Sequence, residues 1–346
     1  MPVAPHKTVL LTGGTGFFGK SILDAHRRGL LRPFGVDRIV AVARNASRLR
    51  IDAPELCDPG VELIDADVLR LDSTFGADVV IHAAASSDAQ RYQADPSAEA
   101  RIIVDGTRRV CEVVRDAKLR PRLLHVSSGA VYGRQPPGIA ALAEDTPLLS
   151  SADPHKEAYA QAKRAAEALV GEFAAGSGIS ARIARCFAFV GSWLPRDKHF
   201  AIGNFIGNAL RGEPIEVKAR HPVIRSYLHA DDLAIWLLRL ATADADRCAI
   251  FNVGSDEAVS VQHLASMVAE AGGVDVLLPE AAGRGEGGAP VQADRYVPDV
   301  CKARRELGLT VTIPLVDAIE RTLRALTPAA SRGVEGPSYT PVGVRR

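Results

Sequence analysis

The stretch TGGTGFFG, residues 12–19, carries glycines at positions 13, 16 and 19 directly after a short apolar segment. The apolar segment predicts a buried strand, and the residues that follow predict a helix. Glycines at this spacing permit a tight turn, close approach of main-chain N–H groups to a pyrophosphate, and close packing of helix on strand. The stretch therefore predicts a dinucleotide-binding turn, with cofactor contacts from Gly13, Thr15, Gly16, Phe17, Phe18 and Gly19.

Apolar runs alternate with helical patterns beyond this turn. The runs that predict strands buried on both faces are 8–14, 38–44, 61–67, 78–85, 122–128 and 181–190. Strict alternation of strand and helix indicates an α/β fold of the Rossmann type, with a doubly wound parallel sheet. After residue 190 proline and glycine recur and the strands become isolated, which predicts a smaller mixed α/β lobe.

The same patterns divide the chain into parts. We expect an NAD(P)-binding Rossmann domain at 1–187 with a return segment at about 228–254, a substrate-binding lobe at 188–227 and 255–327, and a flexible tail at 328–346. The composition of EAAGRGEGGAP, residues 280–290, predicts a mobile loop.

Composition argues against several classes of function. The 346 residues have a formal net charge of +1, which gives no overall field for nucleic acid or an anionic membrane. No apolar run approaches the length of a membrane span, and no signal-peptide pattern is present. The five cysteines lie far apart, without CxxC pairs or histidines at ligand spacing. We expect a cytoplasmic protein that binds no metal, nucleic acid or membrane.

The end of the second predicted strand bears on the choice of dinucleotide. An acid there suits the ribose hydroxyls of NAD, whereas an arginine suits the 2′-phosphate of NADP. This chain has Arg44 at that position, followed by Asn45, Ser47 and Arg48. Because a guanidinium can grip a phosphate through two hydrogen bonds, the pattern favours NADP over NAD. The alternative is a solvated turn that touches no ligand.

Two further strand ends are candidates for cofactor contacts. Asp67 and Val68 follow the third predicted strand, where they are placed to meet the adenine edge. Ala83, Ala84 and Ala85 end the fourth, where small side chains let the main chain run close to a cofactor. Both patterns also fit ordinary strand ends.

Tyr159 and Lys163 lie four residues apart in a predicted helix at 155–173, so they share one face. A tyrosine has a pKa of about 10, and a neighbouring ammonium favours the phenolate that can act as a base. Ser128, in VSSGAVYG at the end of the fifth predicted strand, offers a hydroxyl to the same cleft. These three residues are the predicted catalytic group, and His125 is expected to pack in the core.

The motifs TGGTGFFG, HAAA, VSSGAVYG and YAQAK, in this order, resemble those of the extended short-chain dehydrogenase/reductases. The resemblance covers roughly residues 7–327. The later blocks RCFAFVG, IRSYLHADDLA, FNVGSDEAVSV and RYVPDVCKARRELGL are similar to those of the NAD(P)-dependent nucleotide-sugar epimerases, dehydratases and reductases.

The resemblance implies that hydride passes between a nicotinamide and a hexose carbon, usually carbon 4, while Tyr159 moves the hydroxyl proton. It implies that Ser128 holds the substrate and that Arg225 and Arg295 reach the phosphates or ribose of its nucleotide, with a surface ion pair as the alternative for each arginine. It also implies a homodimer formed by the helices near 97–117 and 157–174. His199 is expected to be structural or solvated.

The chain departs from the family pattern at three places. Ile103 and Ala188 stand where asparagines are usual, which removes a polar contact at the active-site end of the sheet and an expected contact to the nucleotide diphosphate. Gly129 and Ala130 follow Ser128, where the 4,6-dehydratases carry the acid pair that elimination of water needs. Elimination is therefore disfavoured.

The sequence as a whole predicts a nucleotide-sugar oxidoreductase that transfers hydride between NADP(H) and carbon 4 of a nucleotide-linked hexose. A 4-ketoreductase and a 4-epimerase are both open at this point. The alternatives are a 4,6-dehydratase or decarboxylase of the same family and, from another class, a non-catalytic dinucleotide-binding redox sensor. Such sensors usually lack the tyrosine or the lysine, whereas this chain has both.

Overall fold

The computed structural model describes residues 6–85, 94–136, 138–198, 200–243, 248–279 and 293–327. The predicted mobile loop at 280–290, the predicted tail at 328–346 and His199 lie outside these ranges.

The strands of the described ranges, in chain order, are β1 (Lys7–Thr12), β2 (Val36–Ala43), β3 (Val61–Asp65), β4 (Val79–His82), β5 (Arg122–Ser128), β6 (Ala181–Cys186), β7 (Phe189–Val190), β8 (Ile215–Glu216), β9 (Val223–Arg225), β10 (Leu228–His229), β11 (Ala249–Val253), β12 (Val259–Ser260), β13 (Val276–Leu277) and β14 (Asp294–Tyr296). The helices are α1 (Phe17–Arg27), α2 (Leu49–Asp52), α3 (Pro96–Asp116), α4 (Pro154–Ser177), α5 (Ala201–Leu210), α6 (Ala230–Thr242), α7 (Val261–Gly272), α8 (Cys301–Leu307) and α9 (Leu315–Leu326). None of these helices is both long and apolar enough to cross a membrane.

Seven strands form the main sheet in the order β11-β6-β5-β4-β1-β2-β3. Every neighbouring pair in it is parallel, so all carboxyl ends lie at one edge. The direction of winding reverses between β1 and β4, which is where ligands bind in open α/β sheets. The predicted doubly wound parallel sheet is confirmed.

Both faces of the sheet are covered, which explains why its strands are continuous apolar runs. Val9 and Leu11 of β1 face a cluster that includes α1 and α6, whereas Leu10 faces a cluster that includes α3 and α4. Alternate side chains of one strand thus enter opposite cores. The helices α3 and α4 also pack against each other through Ile103, Ala162 and Ala166. The homodimer predicted through these helices stays a prediction.

The predicted strand at 181–190 is in fact two strands. β6 ends at Cys186, Phe187 N donates to Val253 O, and β7 pairs with β10 outside the main sheet. The apolar run continues because the chain passes directly from one hydrophobic core to the next.

The second lobe has its own core, formed mainly by α5, α7 and α9. A small sheet in the order β12-β9-β14 belongs to this part of the fold. Leu142, which follows β5, forms an isolated bridge to Pro298, just beyond β14. This contact brings the small sheet close to the carboxyl end of β5.

Candidate active site

The turn between β1 and α1 admits only glycine at two positions. Gly13 has φ +80°, and a Cβ there would lie 2.7 Å from the carbonyl oxygen of Ala83. A Cβ at Gly19 would lie 2.5 Å from the carbonyl oxygen of Gly13. Gly16 precedes α1 without a side-chain cap, so the first N–H groups of the helix have no such acceptor. Residues 13–19 therefore fit a pyrophosphate at the helix N-terminus.

A chain of hydrogen bonds joins β1, β4 and α3 beside this turn. His82 Nδ1 lies 2.8 Å from Thr12 Oγ1, and His82 Nε2 lies 3.2 Å from Thr107 Oγ1. Because Thr107 donates its own proton to Ile103 O, His82 Nε2 is the donor to Thr107 and Nδ1 accepts from Thr12. Burial lowers the pKa of His82 to about 3, so the ring is neutral.

This chain of hydrogen bonds fixes the predicted alanines. Ala84 N donates to Thr12 Oγ1 at 3.3 Å and Ala83 N to Thr12 O at 3.2 Å, while Ala85 N donates to Ala83 O at 3.0 Å. The sequence indicated only that the side chains here are small. The roles of Thr12 and Thr107 depend on a helix distant in sequence.

The four residues proposed for the 2′-phosphate are not equivalent. Ser47 donates from N and from Oγ to the two carboxylate oxygens of Asp65, at 2.7 and 2.6 Å. Arg48 Nε lies 2.9 Å from Asp52 Oδ2. Arg44 and Asn45 are exposed, and the Arg44 side chain has no hydrogen-bond or ion-pair partner within the described ranges. Of these four residues, Arg44 is thus the one whose charged side chain is not already paired within the described ranges. Asp65, at the end of β3, is a partner of Ser47 that the sequence did not indicate.

Asp67 and Val68 have local roles. Asp67 Oδ1 accepts from Leu69 N at 3.0 Å and caps the short turn after β3. Val68 is buried, and a Cβ at Gly106 of α3 would lie 3.1 Å from its Cγ1. The predicted adenine contact stays a prediction.

Helix α4 sets Tyr159 and Lys163 against the sheet. Asp153 caps the helix by accepting from His155 N and Lys156 N, and Pro154 occupies its first turn. Lys163 is 3% exposed, and its Nζ donates to Val126 O of β5 at 2.9 Å. Burial lowers the pKa of Lys163 to about 8.

Ser128 ends β5 beside these residues. Its Oγ accepts from Ala130 N at 3.1 Å, and its hydrogen bond to Tyr159 lowers the pKa of that phenol. Burial is the larger cause and raises the pKa of Tyr159 to about 12. In the chain alone Tyr159 is therefore a neutral phenol at neutral pH, and the expected phenolate needs further positive charge nearby.

Two buried histidines, His82 and His125, lie within reach of the Lys163 charge. The ring centroids of His82 and His125 are 5.4 Å apart. Burial, and next the Lys163 charge, hold the pKa of His125 well below its ordinary value. Within the described part of the chain neither ring nitrogen of His125 has a hydrogen-bond partner. His125 lies in the core, as expected from the sequence.

The two arginines of the second lobe have local partners. Arg225 Nη2 lies 2.8 Å from Asp294 Oδ2, so the ion pair left open by the sequence exists. Arg295 Nε donates to Ala140 O at 2.5 Å, and the residue lines a cavity of about 170 Å³ together with Gln135. Their contacts with a substrate stay predictions.

Tyr296 of β14 packs over the residue that follows Ser128. A Cβ at Gly129 would lie 2.5 Å from the Tyr296 hydroxyl oxygen and 2.9 Å from the Phe187 ring. The rings of Phe187 and Tyr296 are 4.6 Å apart. Neither aromatic residue was predicted from the sequence, although Tyr296 stands beside Arg295 in the block RYVPDVCKARRELGL. Within the described ranges, no group of three or more His, Cys, Asp or Glu side chains is arranged to hold a metal ion.

Comparison with known proteins gives a consistent class. A family model described as "NAD dependent epimerase/dehydratase family" matches residues 9–254. The chain is 25% identical over 327 residues to UDP-glucuronic acid decarboxylase 1 of Danio rerio, covering 92% of this chain and 72% of that protein. It is 26% identical over 302 residues to UDP-glucuronic acid decarboxylase 4 of Arabidopsis thaliana. This match covers 87% of this chain and 64% of that protein.

Solved structures of the same kind have the same fold. DesIV, a dTDP-glucose 4,6-dehydratase from Streptomyces venezuelae crystallised with NAD and TYD, is similar with a TM-score of 0.73 and 25% identity, over 92% of this chain and 96% of that one. MoeE5 in complex with UDP-glucose and NAD gives a TM-score of 0.72 and 26% identity, over 92% and 97%.

Proposed function

Because this chain belongs to the NAD-dependent epimerase/dehydratase family and is an enzyme of the extended short-chain dehydrogenase/reductase type, we propose that it transfers hydride between NADP(H) and carbon 4 of a nucleotide-linked hexose. The observation that carries this proposal is the meeting of three groups at the carboxyl end of β5. Ser128 ends the strand, it lies near enough to Tyr159 to lower the pKa of that phenol, and Lys163 Nζ is anchored on Val126 O at 2.9 Å.

When bound, the nicotinamide cofactor accepts or donates the hydride of carbon 4. Tyr159 takes the proton of the 4-hydroxyl as the C–H bond breaks and the carbonyl forms, and it returns that proton in the reverse direction. Ser128 holds the reacting oxygen by hydrogen bonding. Lys163, protonated below a pKa of about 8, supplies positive charge that favours the deprotonated form of Tyr159.

The packing over Gly129 argues against elimination of water. An acidic side chain at this position, as in the 4,6-dehydratases, would begin with a Cβ only 2.5 Å from the Tyr296 hydroxyl. The space is filled, so the chain has neither the acid nor the room for it at this position. Oxidation and reduction at carbon 4, without loss of water, need only the three groups named above.

The exposed Arg44 favours NADP over NAD, and with it a 4-ketoreductase, which exchanges NADPH at each turnover. A 4-epimerase instead keeps oxidised cofactor and returns the hydride to the other face of the sugar. DesIV and MoeE5 were both crystallised with NAD. Retained NAD in this chain would support an epimerase over an NADPH-dependent reductase. Identification of the nucleotide that the purified, denatured protein releases separates these cases, since tightly held NAD would contradict the NADP-dependent reductase.

Decarboxylation of UDP-glucuronic acid is a second candidate, because the two curated relatives named above are UDP-glucuronic acid decarboxylases. In this reaction oxidation at carbon 4 creates a β-keto acid, which loses carbon dioxide. The same Ser128, Tyr159 and Lys163 serve its redox step.

One assay separates the candidates. UDP-, GDP-, CDP-, ADP- and dTDP-sugars, with UDP-glucuronic acid among them, are first screened by thermal shift, because a ligand that binds the native state stabilises it. Those that stabilise the protein are incubated with each cofactor, and the products are identified by NMR. We expect epimerised or 4-keto/4-hydroxy products. A pentose product with release of carbon dioxide would establish the decarboxylase instead, and turnover of no sugar nucleotide by the wild type would overturn the proposal.

Tyr159→Phe tests the proposed proton transfer, because it removes only the Tyr159 hydroxyl and keeps the ring. We expect turnover to fall by at least about 100-fold, the lower end for a general acid or base, with cofactor affinity nearly unchanged. Unchanged turnover would reject the mechanism.

A further inference from the structure

Asn252 lies in β11, at one end of the main sheet, and is buried. The proposed mechanism does not use it. Its Oδ1 accepts from the Tyr132 hydroxyl at 2.8 Å, and its Nδ2 donates to Leu142 O at 2.7 Å and to Asp299 O at 3.0 Å. These partners come from separate parts of the chain, so one side-chain amide joins all of them to the sheet.

The main chain of Asn252 is held independently of its side chain. Asn252 pairs with Arg185 in the parallel ladder between β11 and β6, and Asn252 N donates to Glu144 Oε1 at 2.8 Å. The amide is therefore a fixed anchor for the segments that it bonds.

Two of these segments are also bonded to each other. Leu142 N donates to Val297 O, and Asp299 N donates to Leu142 O, each at 2.8 Å. Beside these bonds, Arg295 Nε donates to Ala140 O at 2.5 Å. The chain that leaves β14 thus pairs with the segment between β5 and α4, and both reach the Asn252 amide.

Strand β14 carries two residues of the site. Arg295 is a predicted contact of the nucleotide, and the Tyr296 hydroxyl packs against Gly129. β14 lies at one end of the small sheet, where it pairs with β9. The Asn252 side chain therefore links the chain after β14, in the second lobe, to the main sheet.

The orientation of the Asn252 amide follows from its partners. Leu142 O and Asp299 O are carbonyl oxygens, which only accept, so the two N–H groups of Nδ2 must face them. Oδ1 then faces the Tyr132 hydroxyl, which donates. Removing the N–H donors breaks the link to the chain after β14, whereas removing the Tyr132 hydroxyl leaves both Nδ2 bonds in place.

We infer that Asn252 is a positioning residue for the substrate side of the site: through Nδ2 it holds the chain that leaves β14, and with it Arg295 and Tyr296, at the carboxyl end of the main sheet. This inference rests on the proposed function and deepens it. Three strands separate β11 from β1, which precedes the pyrophosphate turn. Loss of the Nδ2 bonds therefore weakens binding of the sugar nucleotide and leaves binding of the cofactor unchanged.

Asn252→Asp tests the inference because it keeps the side-chain shape and removes both N–H donors. The Kd values of UDP, GDP, CDP, ADP and dTDP are measured by calorimetry on the NADP-bound protein. For each diphosphate that binds the wild type, we expect Kd to rise at least about fivefold, the scale of one lost hydrogen bond, with the Kd of NADP within about twofold. KM for the sugar nucleotide should rise by the same factor, with kcat within about threefold.

Tyr132→Phe is the matched control, because it removes another hydrogen bond of the same amide. We expect both variants to unfold at lower urea concentration than the wild type. The diphosphate Kd values of Tyr132→Phe should stay within about twofold of the wild type, since a lost hydrogen bond lowers stability without moving β14. A purely structural role for Asn252 would change the Kd values in both variants alike or in neither, and either result would overturn the inference. Should Asn252→Asp not fold, Asn252→Ala replaces it, because it removes the donors without placing a carboxyl group before two carbonyl oxygens.

Hydrogen exchange separates this inference from the proposed function, because it needs no substrate. Peptides that cover 139–143 and 294–300 are followed by mass spectrometry. We expect the amides of Leu142 and Asp299 to exchange at least about tenfold faster in Asn252→Asp, and at the wild-type rate in Tyr132→Phe. Unchanged exchange in Asn252→Asp would overturn the inference. Should the wild type turn over no sugar nucleotide, the proposed function fails, while the exchange rates still decide whether Asn252 holds the chain after β14.

Discussion

The guanidinium of Arg185 on β6 and the carboxylate of Glu167 on α4 form a buried ion pair, with Nη2 and Oε2 2.7 Å apart and side chains 5% and 7% exposed. Ser127 Oγ donates to the same carboxylate at 2.6 Å. Glu167 lies one helical turn after Lys163, and Ser127 precedes Ser128. The pair thus fixes α4, which carries Tyr159 and Lys163, to β6 and, through Ser127, to β5, which ends at Ser128.

Removing one partner of this pair leaves the other charge buried and unpaired. We expect Glu167→Ala to lower the free energy of unfolding by about 3–5 kcal/mol, measured by urea denaturation. The double variant Glu167→Leu/Arg185→Met should recover most of this loss, because neither charge of the pair is then left buried without its partner. Asp105→Ala, which breaks the exposed Arg108–Asp105 pair, is the control and should change little. A Glu167→Ala protein as stable as this control would contradict the role given to the pair.

Gly129 should not tolerate a larger residue, because Tyr296 and Phe187 fill the space beside it. We expect Gly129→Ala to lower the free energy of unfolding by about 1–3 kcal/mol, the usual effect of overpacking, measured by thermal and urea denaturation. Gly171→Ala in α4 is the matched control, since nothing lies within 4 Å of a Cβ there. Alanine is the better helix former, so this control should gain about 0.5–1 kcal/mol. Equal effects at the two glycines would show that residue 129 is not tightly enclosed.

Arg44 should determine the preference for NADP. We expect Arg44→Asp to shift the ratio of NADP to NAD affinities toward NAD by at least about tenfold, because a charge-assisted contact is replaced by repulsion. Arg48→Ala should shift it less, since Arg48 already pairs with Asp52. The affinities are measured by calorimetry for both cofactors. A ratio that does not move in Arg44→Asp would leave the arginines as a solvated turn.

Lys163 should make stability depend on pH in a defined window. Burial lowers its pKa from 10.5 to about 8, so the folded chain binds fewer protons than the unfolded chain between these values. Stability therefore rises with pH across this window, whereas below it the full penalty of burying the ammonium applies. We expect the Tm of Lys163→Met to exceed that of the wild type by most near neutral pH. This difference in Tm should shrink as pH rises toward 10.5.

Lys156→Met, which changes an exposed lysine of the same helix, is the control for this pH series. Its difference in Tm from the wild type should stay constant across the window. A Lys163→Met difference that is equally constant would mean that the Lys163 ammonium carries no burial penalty.

The features that follow from local sequence were predictable. The alternation of strands and helices follows from the periodicity of apolar residues. Glycines 13, 16 and 19 predict the phosphate-binding turn from local sequence alone. Tyr159 and Lys163 share a face because they are four residues apart in one helix. Glu167 continues that spacing and was within reach of the same reasoning, yet its meaning depends on Arg185, which lies on another strand.

What only the tertiary structure decided is which side chains from separate segments meet. Asp65 accepts hydrogen bonds from Ser47, His82 bridges Thr12 and Thr107, and Tyr296 packs against Gly129. The residues of each contact lie on different elements, and their distance is set by the order of the parallel strands and by the path of the chain through the second lobe. Periodicity records only which way a residue faces within its own element. The sequence by itself therefore determined the fold and the candidates for the catalytic group. The environment that tunes this group was decided by packing between elements.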